Sequence, residues 1–145
     1  MLSYTSTPLT RPRTASLPTF NFTAESDYDP ATTQYVVMMV DPDAPSPSAP
    51  ILKFFLHFIY YNVQPVCITN QSPVMFVPYQ LPTPFSIAAH RYTQLVYRQP
   101  PGYVPQAQPV ADTTRALFNL TSFVEAGNLV LVGGNFFREG LDSAV

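Results

Sequence analysis

Charge is scarce in this chain: Asp, Glu, Lys and Arg together make up 11% of its residues, against about 25% in average globular proteins. A sequence that is also 46% hydrophobic is not held open by charge repulsion and folds around its apolar material. The seven Lys and Arg stand singly between Arg11 and Arg138, and the formal net charge is −2. That pattern offers no basic stripe to a phosphate backbone, so nucleic acid is not an expected partner. The one cysteine, Cys67, cannot close an internal disulfide and leaves the redox compartment open. Glycine is rare too: all five glycines lie beyond residue 101, so earlier turns must be made with Pro, Asn, Asp and Ser. No apolar run reaches 18 residues and residues 1–30 lack the hydrophobic stretch of a signal peptide, which is the pattern of a soluble chain.

Proline is what the sequence has in excess. Its 17 prolines punctuate the hydrophobic runs, a placement that favours strands and loops over helices. At 145 residues the expectation is a single domain, 1–145. Residues 1–30 form a Thr-, Ser- and Pro-rich, poorly anchored lead, with one short edge strand around Phe20 and Phe22. Strands are expected over Tyr35–Val40, continuously apolar and buried on both faces, and over Phe54–Tyr61, where period-2 geometry puts Phe55, His57, Ile59 and Tyr61 on one face. Arg91–Arg98 is a third strand, with Tyr92, Gln94 and Val96 sharing a face with His90. A short helix covers about Thr121–Ala126, with cap candidates from Asn119 to Ser122 and Gly127 at C′. Leu129–Val132 and Asn135–Phe137 close a mainly antiparallel β-sandwich-like fold.

Chemistry concentrates in three places. Asp41-Pro42-Asp43-Ala44-Pro45 sets two carboxylates two residues apart on a proline-stiffened loop, a pattern that turn formation alone also explains. The only two histidines, His57 and His90, sit in strands among apolar and aromatic neighbours. A lone histidine on an apolar face is more often a satisfied core residue; the alternative is that both, with Asp41, Asp43 and Tyr92, converge on one pocket for an anionic ligand. A Ser-His-Asp hydrolase is not expected, because there is no Gly-x-Ser-x-Gly and no serine adjacent to either histidine strand. Nor is a metal site, since no His-x-His or His-x-x-x-His spacing accompanies Asp41.

Val40-Asp41-Pro42-Asp43-Ala44-Pro45-Ser46, Phe55-Leu56-His57-Phe58, His90-Arg91-Tyr92 with Leu95-Val96-Tyr97-Arg98-Gln99, and Phe118–Glu125 leading to Gly134-Asn135-Phe136-Phe137 follow one another over Tyr35–Phe137. In order and spacing they resemble the phosphatidylethanolamine-binding protein family, and Val77-Pro78-Tyr79 is similar to its secreted fungal branch. The resemblance implies a large central antiparallel β-sheet, a second smaller sheet, one or two short helices, and a shallow anion pocket lined by Asp41, Pro45, His57, Pro84, His90 and Tyr92. Asp43 shapes the loop and contributes to ligand binding, and Arg91 is expected to pair with it. Two departures bear on the ligand: Pro84–Ala89 replaces the family's Gly-rich stretch before His-Arg-Tyr, and Leu56 stands where relatives often place a polar or aromatic group. The mouth becomes more apolar and more crowded, which turns the expected ligand from a lipid phosphate towards an amphiphilic carboxylate or anhydride.

Two functions follow from these residues. In one, His57, His90 and Asp41 do metal- and cofactor-free acid–base work, isomerising, cyclising or coupling a fungal secondary metabolite. In the other, the same groups hold an anion or phospholipid headgroup in a non-catalytic signalling or protease-inhibitor module. A homodimer or a partner protein fits either. Three sequons, at Asn21, Asn70 and Asn119, suit a secretory route, with the cytoplasm as the alternative.

Overall fold

The fold is described here from a computed structural model covering residues 14–65, 73–84, 86–106 and 115–141. Its elements run β1(Tyr35–Asp41), β2(Phe55–Val63), β3(Val74–Val77), β4(His90–Arg98), α1(Leu120–Ala126) and β5(Val130–Glu139). The strands form one antiparallel sheet in the order β3-β2-β1-β4-β5. The mainly β architecture is thus the expected one. Among the described residues the strands make this single sheet, and the smaller second sheet is not among them.

β1 is the central strand, and its unbroken apolar sequence explains why: all seven of its residues are buried, which requires cover on both faces. Val36, Met38 and Val40 point into one core with Leu56, Ile59, Phe118 and Leu129, against which α1 packs Phe123 and Val124. Tyr35, Val37 and Met39 point into the other, with Phe58, Tyr92 and Val96. That second face is covered by the chain's own lead. Leu17, Phe20, Phe22 and Tyr28 pack on it, Phe22 meeting Tyr35 edge to face at 5.0 Å. Arg98 fastens the same segment by donating to Asp27 at 2.9 Å. Residues 14–30, expected to hang loosely, are therefore held to the sheet, although Phe20 and Phe22 lie in extended chain rather than in an edge strand. Residues 1–13, Cys67 and the Asn70 sequon fall outside the described residues.

Period-2 alternation fails in β2. Met39 pairs with Phe58 and Val40 with Leu56, so His57 is the extra residue of a β-bulge. The bulge turns the strand: Leu56 and Phe58, which strict alternation would keep together, enter opposite cores, and Ile59 and Tyr61 leave the face they were expected to share with His57. β5 is one strand of 10 residues, not two, with its own irregularity between Val96 and Tyr97 of β4. α1 is capped by Asn119, whose Oδ1 accepts from the Ser122 N–H at 3.0 Å. Gly127 is right-handed at φ −86, and Asn128 supplies the left-handed turn at φ 48. Gly127 is needed for room instead: a Cβ there would lie 3.0 Å from both Leu129 and Tyr103 side-chain atoms.

Met38 has no exposed surface at the centre of the sheet. Its replacement by Ala should destabilise the domain by about 2–5 kcal/mol, read as a lowered midpoint in urea with an unchanged slope; a loss below about 1 kcal/mol would show that this core is loosely packed.

Candidate functional site

The ends of β1 and β4 and the bulge in β2 converge on one cavity of about 310 Å³. Asp41, Pro45, His57, His90 and Tyr92 all line it, together with Phe55, Gln80, Thr83 and Arg115, which the sequence reading did not single out. Asp43 and Pro84 are not lining residues. Both are buried, and the Asp43 carboxylate is turned to Arg91, accepting from its Nε at 2.9 Å, its Nη2 at 2.7 Å and its backbone N–H at 2.7 Å. Burial alone would raise the Asp43 pKa, but these bonds and the guanidinium charge outweigh it and hold the carboxyl below its usual range. Asp43 thus anchors the loop to β4 and leaves the cavity to Asp41.

Asp41 ends the central strand, and both its oxygens are used. Oδ1 accepts from the Asp43 N–H at 2.7 Å, and Oδ2 lies 2.8 Å from His90 Nδ1. A carboxylate only accepts, so Nδ1 carries the hydrogen and the imidazole is fixed in orientation. Burial raises the Asp41 pKa, with the His90 and Asp43 hydrogen bonds opposing it. On its far side His90 Nε2 sits 3.0 Å from Ser86 Oγ. The expectation that no serine approaches a histidine strand was wrong. Ser86 precedes His90 by four residues, and the bend at 86–88 folds it back onto the ring.

His57 is chemically different. Its Nδ1 lies 2.7 Å from the Gln80 carbonyl, which can only accept, so Nδ1 is the protonated nitrogen and Nε2 carries a lone pair. Nε2 is buried with no hydrogen-bond partner among the described residues. Burial pushes the pKa down to about 4, the Gln80 bond opposing and the nearby Arg115 charge adding to the fall. His57 is therefore neutral at physiological pH and supplies no positive charge to an anion. The cation in the cavity wall is Arg115, whose Nη1 donates to the His57 and Pro78 carbonyls at 2.8 Å each. Leu56 N–H returns a bond to the Arg115 carbonyl at 2.8 Å, so Arg115 also pins the bulge that aims His57. No spacing in the sequence marks it, because its partners are backbone carbonyls from distant segments.

Among the described residues no group of three or more His, Cys, Asp or Glu is placed to hold a metal ion, and no helix is long and apolar enough to cross a membrane.

An antiparallel sheet with an Asp–His pair at the mouth of a small cavity defines a class of β-rich pocket proteins. The sequence profile described as phosphatidylethanolamine-binding protein matches residues 4–137, and the chain belongs to that family. It is 39% identical over 90 residues to Protein MOTHER of FT and TFL1 homolog 2 of Oryza sativa subsp. japonica, an alignment covering 61% of this chain and 49% of that protein. To Protein TWIN SISTER of FT of Arabidopsis thaliana it is 34% identical over 105 residues, 72% of this chain and 57% of the relative. The matches span about half the length of these curated relatives. In structure it is similar to the carboxypeptidase Y inhibitor complexed with its cognate proteinase, with a TM-score of 0.73 at 24% identity, covering 94% of this chain and 76% of that one. It is also similar to the phosphatidylethanolamine-binding protein from Plasmodium vivax, with a TM-score of 0.62 at 20% identity over 81% and 69%. At these identities the structural neighbours establish the fold alone.

The state of His57 makes stability depend on pH in a defined direction. Its folded pKa, about 4, lies below its ordinary 6.5, so below pH 6.5 the unfolded chain binds the proton more readily. The stabilisation present above pH 6.5 is lost as pH falls towards 4. His57→Gln, which keeps a donor for Gln80 but cannot titrate, should flatten the stability-pH curve across that window, by up to roughly 3 kcal/mol before solvent relaxation reduces it. Parallel curves for variant and wild type would mean that His57 is not held neutral.

Proposed function

We propose that this domain takes an amphiphilic carboxylate- or anhydride-type molecule into the Asp41 cavity and does acid–base work on it through the Asp41–His90 pair. The observation that carries this reading is the buried 2.8 Å bond from His90 Nδ1 to Asp41. It fixes tautomer and orientation in the way a proton-transfer group requires. Arg115 supplies the attraction for the acid group, and the bare Nε2 of His57 accepts from a hydroxyl or protonated oxygen on the same molecule. The amphiphilic character follows from the rim. Leu52 lines the cavity, and Ile51 and Leu81, each next in sequence to a lining residue, leave 74% and 39% of their surface exposed, as Ile87 beside Ser86 leaves 71%. An apolar tail would cover such a rim. Isomerisation, cyclisation or coupling of a fungal secondary metabolite is the proposed chemistry, the fungal placement resting on Val77-Pro78-Tyr79.

The other reading is a binding module without chemistry, for an anion, a phospholipid headgroup or a protein. The neutrality of His57 favours it, since this group contributes hydrogen bonding and no base of ordinary strength. So do the names of the neighbours, one a carboxypeptidase inhibitor and one a phosphatidylethanolamine-binding protein. Whether this domain is secreted stays with the Asn21 and Asn119 sequons.

Two measurements separate the readings. Calorimetric titration with straight-chain carboxylates should show affinity rising with chain length, and inorganic phosphate should bind more weakly; tighter binding of phosphate would favour the headgroup module. With a bound acid carrying an exchangeable α-hydrogen, wild type should catalyse deuterium exchange followed by NMR, and His90→Gln should slow it by about 10²–10⁴-fold. Binding without exchange in the wild type would leave only the binding module.

A further inference from the structure

Asp41, His90 and Ser86 form a continuous chain of hydrogen bonds: Oδ2 to Nδ1 at 2.8 Å, and Nε2 to Oγ at 3.0 Å. We infer that Ser86 is a nucleophile activated by this chain, and that the site accepts an acyl group from an ester or anhydride. The inference rests on the acid–base reading of the Asp41–His90 pair and adds a covalent step to it.

The arrangement has the three roles that define such a relay. Asp41 is buried, so its charge acts on His90 with little screening, and it holds the Nδ1 hydrogen. His90 is buried and lines the cavity. Ser86 is half-buried and stands one hydrogen bond outside the lining residues, beside the exposed Ile87, where an acyl donor with its apolar part on the rim would present its carbonyl. Chain order is no obstacle, since this constellation is recognised by geometry and roles and not by sequence position. The serine hydroxyl also lies 2.8 Å from the Ala88 carbonyl. With the Nδ1 hydrogen given to Asp41, the serine hydroxyl faces the Ala88 oxygen, which can only accept, and His90 Nε2. Both partners lie within hydrogen-bond distance of the one hydroxyl in the same side-chain position.

In the step that follows, Ser86 Oγ bonds to the acyl carbon of an ester and its hydrogen passes to His90 Nε2, the imidazolium being stabilised by Asp41. The carbon–oxygen bond to the leaving alcohol breaks, and that oxygen takes the proton from Nε2. Water, deprotonated by the same nitrogen, then attacks the acyl carbon, and Ser86 recovers its hydrogen as the acid leaves.

The test is a fluorophosphonate, which phosphonylates activated serine hydroxyls and leaves ordinary ones untouched. The intact protein should gain one adduct, mapped by peptide mass to Ser86, at a rate at least about 100-fold above the urea-unfolded protein. Ser86→Ala should abolish it with the melting temperature little changed. Asp41→Asn, which keeps the serine, should slow it to a similar extent, a loss that a merely structural Ser86 would not show. No adduct in the wild type, an adduct on another serine, or equal labelling in Asp41→Asn overturns the inference. Carboxylate titration of the same wild-type sample distinguishes the two failures: binding with no adduct removes the nucleophile alone, and neither binding nor adduct removes the pocket reading as well.

Discussion

A carboxylate withdrawn from water at the end of a central strand must have its oxygens bonded, or the strand cannot end there. Asp41 meets that condition with one N–H from its own loop and one from an imidazole on the neighbouring strand, and much of the site follows from it. The N–H of Asp43 can be given to Asp41 only if the loop turns back on itself, which the flanking prolines favour. Asp43, turned outward by the same geometry, needs a cation, and β4 supplies Arg91 from the residue after His90. Adjacent residues of β4 thus serve adjacent carboxylates of the loop, one imidazole inward and one guanidinium outward, because successive side chains of a strand leave on opposite faces.

The bulge in β2 does for His57 what the loop does for Asp41. Without the extra residue, His57 would stay in step with Ile59 and Tyr61, which pack in the first core beneath α1. With it, the ring reaches the cavity, and the displaced backbone carbonyls of Leu56 and His57 require new donors. Arg115 gives them, at 3.4 and 2.8 Å. Its charge is therefore placed by a backbone need, and the same charge helps keep His57 neutral. The electrostatics of the cavity invert the simplest reading of the sequence: the histidine expected to attract an anion is held neutral by burial, and an arginine with no motif around it carries the positive charge.

What was legible in the sequence was what regular periodicity and local chemistry write into it. The buried run of β1, the shared face of His90, Tyr92 and Val96, and the Asn119 cap depend only on residues close in the chain, and all are present in the fold. The convergence of Asp41, His57, His90 and Tyr92 came from recognised family motifs, since spacing alone cannot bring three strand ends together. Hidden were the features that depend on distant partners or on an irregular backbone. The bulge at His57 breaks the period that would announce it, Arg115 is recognised only by the carbonyls it meets, and the apolar side chains of residues 14–30 are too widely spaced to look anchored before the sheet face they cover is known.

The serine that joins the site was hidden for a related reason, and the scarcity of glycine explains how it arrives. Where bare backbone would leave the mouth open, Pro82 and Pro84 are buried and the chain regains β4 through the bend at 86–88. A bend of that kind needs local hydrogen bonds, and Ser86 makes one to the Ala88 carbonyl two residues on. The bend opens almost directly into the strand that His90 begins, and Ser86 lies against the imidazole. The glycine-free stretch that leads into β4 thus sets a hydroxyl 3.0 Å from the imidazole. One bend therefore places both the exposed Ile87 and the Ser86 hydroxyl beside the start of β4.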